Sequence, residues 1–333
     1  MASSDQALFH YCLLTLYITA PPTFISLRFL QAPYGKHHRP GWGPTMSPPL
    51  AWFLMESPTL WLTFLIFPFG RNFNNPKSFI LMSPFLLHYF HRTCIYQIQL
   101  YLNNTSQKSG FPVTVALMAF GFNLLNAYLQ ARWVSHYKDY EGKDGRLFWW
   151  RFLIGLVIFI GAMWINIWSD KVLVGLKKQG GGYKIPKGGW FELVSCPNYF
   201  GEIVEWFGWG VMTRSWPGFG FFLYTCANLV PRARANHKWY LDKFGEDYPK
   251  GRKAVIPFVH RGFFVFIVFI GFSFVCADPL LHISPQCLAV WDFVVQWLQI
   301  VQTVLSRLVV PPQTKISLFD QTFQDLLLGN LHC

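Results

Sequence analysis

Charge is scarce in this sequence. Asp, Glu, Lys and Arg make up 13% of its 333 residues, against roughly 25% in an ordinary soluble domain. Such a chain cannot cover a water-facing surface in the usual way. Acidic residues are the scarcer sign, 16 against 28 basic ones. Several chemical signatures are missing as well. There is no G-x-x-x-x-G-K-[ST] and no G-x-G-x-x-G after a strand, since Gly218-Phe219-Gly220 lacks the third glycine. There is also no H-E-x-x-H and no G-x-S-x-G, so soluble nucleotide folds, a zincin site and a serine-hydrolase elbow are excluded. The seven cysteines (Cys12, Cys94, Cys196, Cys226, Cys276, Cys287, Cys333) are scattered, without C-x-x-C or a Cys/His cluster. Buried free thiols and no metal are expected. The N-terminus shows neither a basic n-region nor a small-residue cleavage site, so its first apolar run is expected to stay as a span.

What the chain does have is apolar and aromatic mass. It is 52% hydrophobic, with 34 Phe and 15 Trp. Several runs approach the ~20 residues that cross ~30 Å of hydrocarbon. The expected fold class is all-α, a polytopic membrane protein with spans at 8–30, 50–69, 78–102, 111–133, 147–169, 199–213 and 216–231. Pro21 and Pro22 should kink the first. The Pro/Gly-rich segment 31–49 reads as an irregular loop with solvated basic residues. Segment 232–253 reads as a separate basic amphipathic helix on the membrane surface. Residues 1–258 form one unit, and residues 259–333 are a hydrophobic extension of different character that carries no usable motif. Lys and Arg concentrate on the connectors after spans one, three and five and in 232–253. That bias puts the N-terminus on the lumenal side and these segments in the cytosol. The sequons at Asn103 and Asn104 should then stay unmodified. The basic residues follow loops rather than a stripe, so no nucleic-acid partner is implied.

Polar residues inside spans are costly and mark function. Glu56 lies near the start of an otherwise uncharged span, and His88-Tyr89-Phe90-His91-Arg92 lies midway along the next. Glu56 with Arg92 is either a structural ion pair or part of a site. Asn123, Asn126 and Gln130 recur on one helix face, as interhelical glue or as a cavity wall. Asn166 and Asp170 share a face at the end of span five. Asn198 reads as an N-cap, with Glu202 and Glu205 one turn apart on the following helix. These residues outline an intramembrane cavity reached by a lipophilic compound. They also outline a cytosolic mouth where Lys177, Tyr183, Arg232, His237 and Tyr240 could meet a phosphate-bearing cofactor. A carboxylic acid beside a Tyr suits polarising a carbonyl.

Six words carry a resemblance: Leu-Gln-Ala-Pro-Tyr-Gly-Lys-His (30–37), Trp-Phe-Leu-Met-Glu-Ser-Pro (52–58), His-Tyr-Phe-His-Arg-Thr (88–93), Asn-Ile-Trp-Ser-Asp (166–170), Asn-Tyr-Phe-Gly-Glu-Ile-Val-Glu-Trp (198–206) and Tyr-Pro-Lys-Gly-Arg-Lys-Ala-Val-Ile-Pro-Phe (248–258). With them residues 8–258 resemble the steroid 5α-reductase family, most closely the plant members of brassinosteroid synthesis. The resemblance implies a seven-helix bundle in the endoplasmic reticulum membrane that binds NADPH from the cytosol and reduces a 3-oxo-Δ4 steroid taken from the bilayer. Hydride goes to C5 and a proton to C4. It implies that Glu56 and Tyr89 bind the 3-oxo group. It places Arg92, Tyr96, Asn166, Asp170, Lys177, Tyr183, Asn198, Glu202, Arg232, His237 and Tyr240 in the cofactor segments. Met55 stands where steroid-reducing animal members usually have Gln. The alternatives are a membrane lipid methyltransferase of the isoprenylcysteine type and a non-catalytic sterol-binding protein.

Overall fold

The computed structural model describes residues 2–102, 110–141, 145 and 147–257. The sequons at Asn103 and Asn104, and the extension 259–333, lie outside the described residues.

The described chain is helical, apart from one short ribbon. Helix α1 (Ala2–Phe29) runs through Pro21 and Pro22 without a break in its assignment, as membrane helices allow. The second expected span divides into α2 (Pro48–Glu56) and α3 (Pro58–Ile66). Pro58 forces the division, because it opens a new helix directly after Glu56. The third divides into α4 (Pro76–Phe90) and α5 (Tyr96–Leu102). A π-turn, His91–Ile95, joins them, and such bulges cluster at functional sites. Helix α6 (Val113–Arg132) ends in a second π-turn, Trp133–Tyr137. Helices α7 (Phe148–Lys178), α8 (Pro197–Thr213) and α9 (Trp216–Phe244) complete the bundle. Among the described residues four stretches, Ser4–Phe29, Pro48–Phe69, Val113–Tyr137 and Phe148–Lys178, are long and apolar enough to cross a membrane. The sequence count of seven includes three further helical stretches that this criterion does not select.

Three local expectations are corrected. Helix α7 continues to Lys178, so Lys171, Lys177 and Lys178 ride its last turns rather than a loop. Helix α9 is continuous through Pro231 to Phe244, so 232–244 is its extension and not a separate surface helix. The connector 31–49 is docked rather than solvated. Its strand β1 (Thr45–Met46) pairs antiparallel with β2 (Phe111–Pro112). Its Tyr34, Lys36 and His37 lie on α9, as described below.

Close helix approach positions Asn166 against α8. Helices α7 and α8 touch at glycine. A Cβ on Gly201 would sit 2.8 Å from the Ala162 carbonyl oxygen and 2.7 Å from the Asn166 nitrogen. Any larger residue there would push Asn166 away from α8. Beneath this contact a buried aromatic core joins Phe85 and Tyr89 of α4, Phe159 of α7, Trp206 and Trp209 of α8 and Phe221 of α9. At the opposite end Asp5 of α1 accepts from Arg132 at 2.6 Å and from the Tyr137 hydroxyl at 2.7 Å. Those bonds fasten α1 to the end of α6.

Candidate active site

Arg92 is the centre of the site. The π-turn aims it across the bundle, where Nη1 donates to Asp170 Oδ2 at 3.1 Å. Its guanidinium lies over the rings of Trp52 and Tyr96, 5.5 and 5.1 Å from their centroids. Glu56 Oε1 is 4.0 Å from Arg92 Nη2, beyond hydrogen-bond reach. The short ion pair is therefore Arg92–Asp170, and nothing among the described residues donates to the Glu56 carboxyl.

Asn198 occupies the second position of α8, with Pro197 at the first and Cys196 at the cap. It does not cap its own helix. Its Nδ2 donates to Asp170 Oδ1 at 3.0 Å, and its backbone carbonyl accepts from Asn166 Nδ2 at 2.9 Å. Pro197 explains the shift, since its missing N–H suits the first helical position. The predicted pair Asn166 and Asp170 thus meets at Asn198, and Arg92 joins through Asp170.

The expected Glu202–Glu205 pair separates. Glu205 is 0% exposed and meets His88 Nδ1 at 2.7 Å. Glu202 is half-buried and lies within electrostatic reach of Arg92 and Arg232.

Tyr89 is 3% exposed, with its ring stacked near Trp206 at 5.7 Å. Asn126 Nδ2 donates to its hydroxyl at 3.3 Å. Asn123 Nδ2 donates to the Met55 carbonyl at 2.6 Å, which seats the last turn of α2, and so Glu56, against α6. The polar stripe of α6 is thus spent on bonds to α2, α4, α8 and the start of α9, as interhelical glue.

At the mouth, Arg232 donates to the Tyr34 and Tyr199 hydroxyls and to Asn228 Oδ1. His37 Nε2 is 3.0 Å from Asn236 Oδ1. His237 Nδ1 and the Tyr248 hydroxyl each lie 2.6 Å from Ser195 Oγ. Tyr240 stacks on Tyr248 at 5.3 Å, and Tyr183 meets Trp239 edge-on at 4.8 Å. Lys36 Nζ sits 4.7 and 4.2 Å from the ring centroids of Trp239 and Tyr240. Burial holds its ammonium down to about 8; the nearby Cys196 thiol opposes this and Lys177 adds to it. Burial likewise lowers His37 and pushes the Cys196 thiol up to about 11. Among the described residues Lys36, Lys177 and Arg232 form no ion pair. Three cations outside any ion pair, with Lys36 and Arg232 over aromatic rings, suit a ligand that carries phosphates and flat rings.

The sequence reading missed Tyr34, Trp52, Lys36, Ser195, Tyr199 and Asn236. For Tyr34 and Lys36 a signal existed in the Tyr-Gly-Lys-His word, whose Gly35 takes φ +63° to turn the loop onto α9.

A family profile described as 3-oxo-5-alpha-steroid 4-dehydrogenase matches residues 109–260. A Gossypium hirsutum protein named steroid 5-alpha-reductase DET2 is 75% identical over 78% of this chain and all of its own length. The Arabidopsis thaliana protein of the same name is 67% identical over 77% of this chain and 98% of its own. A Mus musculus protein named 3-oxo-5-alpha-steroid 4-dehydrogenase 1 is 39% identical over 71% of this chain and 91% of its own.

Proposed function

This chain belongs to the 3-oxo-5-alpha-steroid 4-dehydrogenase family, and from that premise we propose that it reduces the Δ4,5 double bond of a 3-oxo-Δ4 steroid to the 5α product with NADPH. We place the reaction in the endoplasmic reticulum membrane and in brassinosteroid synthesis, with the N-terminus lumenal and the cofactor mouth cytosolic. The steroid reaches the cavity from the bilayer.

The chemistry of the mouth fits an anionic dinucleotide. Lys36, Lys177 and Arg232 offer charge to phosphates, while Tyr96, Tyr183 and Tyr240 offer ring faces. Arg92, Asn166, Asp170, Asn198, Glu202 and His237 supply donors and acceptors for the ribose and amide groups. Bound there, NADPH supplies the hydride that C5 takes up. Everything else is done by the chain.

Glu56 and Tyr89 hold the 3-oxo group. As C5 is reduced, negative charge develops on that oxygen through the conjugated enone. Tyr89 donates to it, and so does Glu56 in its neutral form. C4 then takes a proton from water, which leaves hydroxide to the solvent, and the ketone re-forms. The observation that carries this reading is the pairing of a short Arg92–Asp170 contact with a 4.0 Å Arg92–Glu56 separation. Arg92 serves Asp170, and among the described residues nothing donates a hydrogen bond to Glu56, beside a buried tyrosine.

The test incubates membranes bearing the chain with NADPH and a 4-en-3-one steroid and seeks the 5α-reduced product by mass spectrometry. With NADPH deuterated at its transferable position, the label should appear at C5. Binding of both ligands without product would leave a sterol-binding protein instead.

A further inference from the structure

Tyr89 is held by a chain of hydrogen bonds whose direction is set from outside the pocket. Trp209 Nε1, which can only donate, meets Gln130 Oε1 at 2.9 Å. The Pro217 carbonyl, which can only accept, receives Gln130 Nε2 at 2.9 Å. These two groups of fixed polarity leave the Gln130 amide one orientation. A flipped amide would face N–H to N–H and oxygen to oxygen in a dry interior, two unmade bonds at once. Gln130 Nε2 also donates to Asn126 Oδ1 at 3.0 Å. The oxygen of Asn126 is therefore committed to Gln130, and its nitrogen must face the Tyr89 hydroxyl, as the 3.3 Å contact records. Gln130, Asn126 and Trp209 are all 0% exposed, so bulk solvent does not compete.

The consequence falls on the phenol proton. Tyr89 oxygen accepts from Asn126, and an amide nitrogen cannot accept in return. Tyr89 has no other hydrogen-bond partner among the described residues, so its O–H remains to be given to a ligand. We infer that Trp209, Gln130 and Asn126 are positioning residues, a one-way hydrogen-bond chain that commits the Tyr89 hydroxyl to donate to the substrate carbonyl. The inference rests on the reading of Tyr89 as a contact of the steroid 3-oxo group. The chain also polarises the phenol, since each donated bond strengthens the next.

The experiment is a pair of double-mutant cycles in membranes, assayed with NADPH and a 4-en-3-one steroid. The single variants are Asn126→Leu, Gln130→Met and Tyr89→Phe, all close in shape to the originals. The doubles combine Tyr89→Phe with each of the other two, and retained NADPH binding shows that a variant has folded. Asn126→Leu should lower kcat about tenfold, the scale of one hydrogen bond, with steroid KM nearly unchanged. Gln130→Met should do the same more weakly, by freeing the Asn126 amide to turn. In the Tyr89→Phe background neither substitution should cost anything further, because the proton they direct is gone. Equal losses in both backgrounds would overturn the inference and leave Asn126 and Gln130 as packing. Near-native turnover in Tyr89→Phe itself would instead remove the reading of Tyr89 on which the inference rests, so the two failures are distinguishable. If Asn126→Leu does not fold, the Gln130→Met cycle decides.

Discussion

Asn198 of α8 donates to Asp170 of α7 at 3.0 Å, on the carboxylate whose other oxygen accepts from Arg92 at 3.1 Å. One acidic side chain thus ties together three elements far apart in sequence. It holds the Arg92 guanidinium closer to Asp170 than to Glu56, 3.1 against 4.0 Å.

Removing that tie should act on the cofactor side. Asn198→Ala deletes a donor to a charged acceptor, a bond worth about 1.5–3 kcal/mol. Under the proposed cofactor assignment, the KM for NADPH should rise several-fold more than the KM for the steroid. Asp170→Asn leaves Arg92 buried without its short ion pair and should also lower the thermal midpoint in detergent, since breaking such a pair is costly. Steady-state kinetics with each ligand varied in turn is the check. Equal effects on both KM values would detach Asn198 from the cofactor.

Lys177 is the candidate reader of the cofactor 2′-phosphate. It ends α7, on the turns beyond Asp170, and carries no ion pair among the described residues. A compact ammonium recognises phosphate as a point charge. Lys177→Ala should therefore raise the KM for NADPH far more than that for NADH. The ratio of the two values separates phosphate recognition from a general loss of the mouth.

Lys36 makes stability depend on pH. Its ordinary value is 10.5, and in the folded chain it falls to about 8, first through burial. Below pH 8 folded and unfolded chains both hold the proton, and the fold carries the full cost of burying it. Between about 8 and 10.5 the unfolded chain binds more protons than the folded one, so stability rises with pH across that window. The gain is about 3 kcal/mol at most. Lys36→Met keeps a stem over Trp239 and Tyr240 but has no proton to lose. The thermal midpoint of the natural chain should climb relative to this variant from pH 8 to 10.5. Parallel curves would refute the burial of a charged Lys36.

Much of this arrangement was legible in the sequence where a single helix carries it. The spans follow apolar length, and Asn166 with Asp170 follows the helical repeat. The helical setting of Glu56, Tyr89 and Arg92 follows from their place in apolar runs. What was not legible depends on contacts between distant segments. The connector 31–49 reads as solvated because its prolines and glycines deny it regular structure, yet Arg232 and Asn236 of α9 hold Tyr34 and His37 by side-chain bonds. Asn198 reads as a cap because local rules favour it there, and a carboxylate 28 residues earlier claims its amide instead. Glu205 reads as the partner of Glu202 by spacing, but one turn of helix separates a buried histidine contact from the mouth.

The boundary near residue 258 can be tested directly. The family match ends at residue 260, and the Gossypium hirsutum relative is covered end to end within 260 aligned residues. A chain ending at Phe258 should insert into membranes and keep its turnover. A folded, inserted but inactive product would make the extension part of the working enzyme.

Glu56 and Tyr89 provide the sharpest prediction. If both donate to the 3-oxygen as charge grows there, removing one donor should cost about 10²-fold in kcat. Glu56→Gln retains an N–H that can donate, whereas Glu56→Leu retains none, so the loss should be graded, with Leu far worse than Gln. Tyr89→Phe should be severe, because it removes the donor whose proton Asn126 leaves free and Glu56 alone remains to meet the charge. Under the proposed assignment NADPH binding should survive in all three, since Glu56 and Tyr89 are given to the steroid and Arg232 and the end of α7 to the cofactor. A purely structural Glu56 predicts a different order. The 4.0 Å separation from Arg92 makes the pair weak, and an apolar Leu would then be as well tolerated as Gln, or better. Product formation for the three variants at saturating NADPH, beside their thermal midpoints, separates the two. If Glu56→Leu and Tyr89→Phe both turn over at near-native rates, the 3-oxo group is bound elsewhere in the cavity.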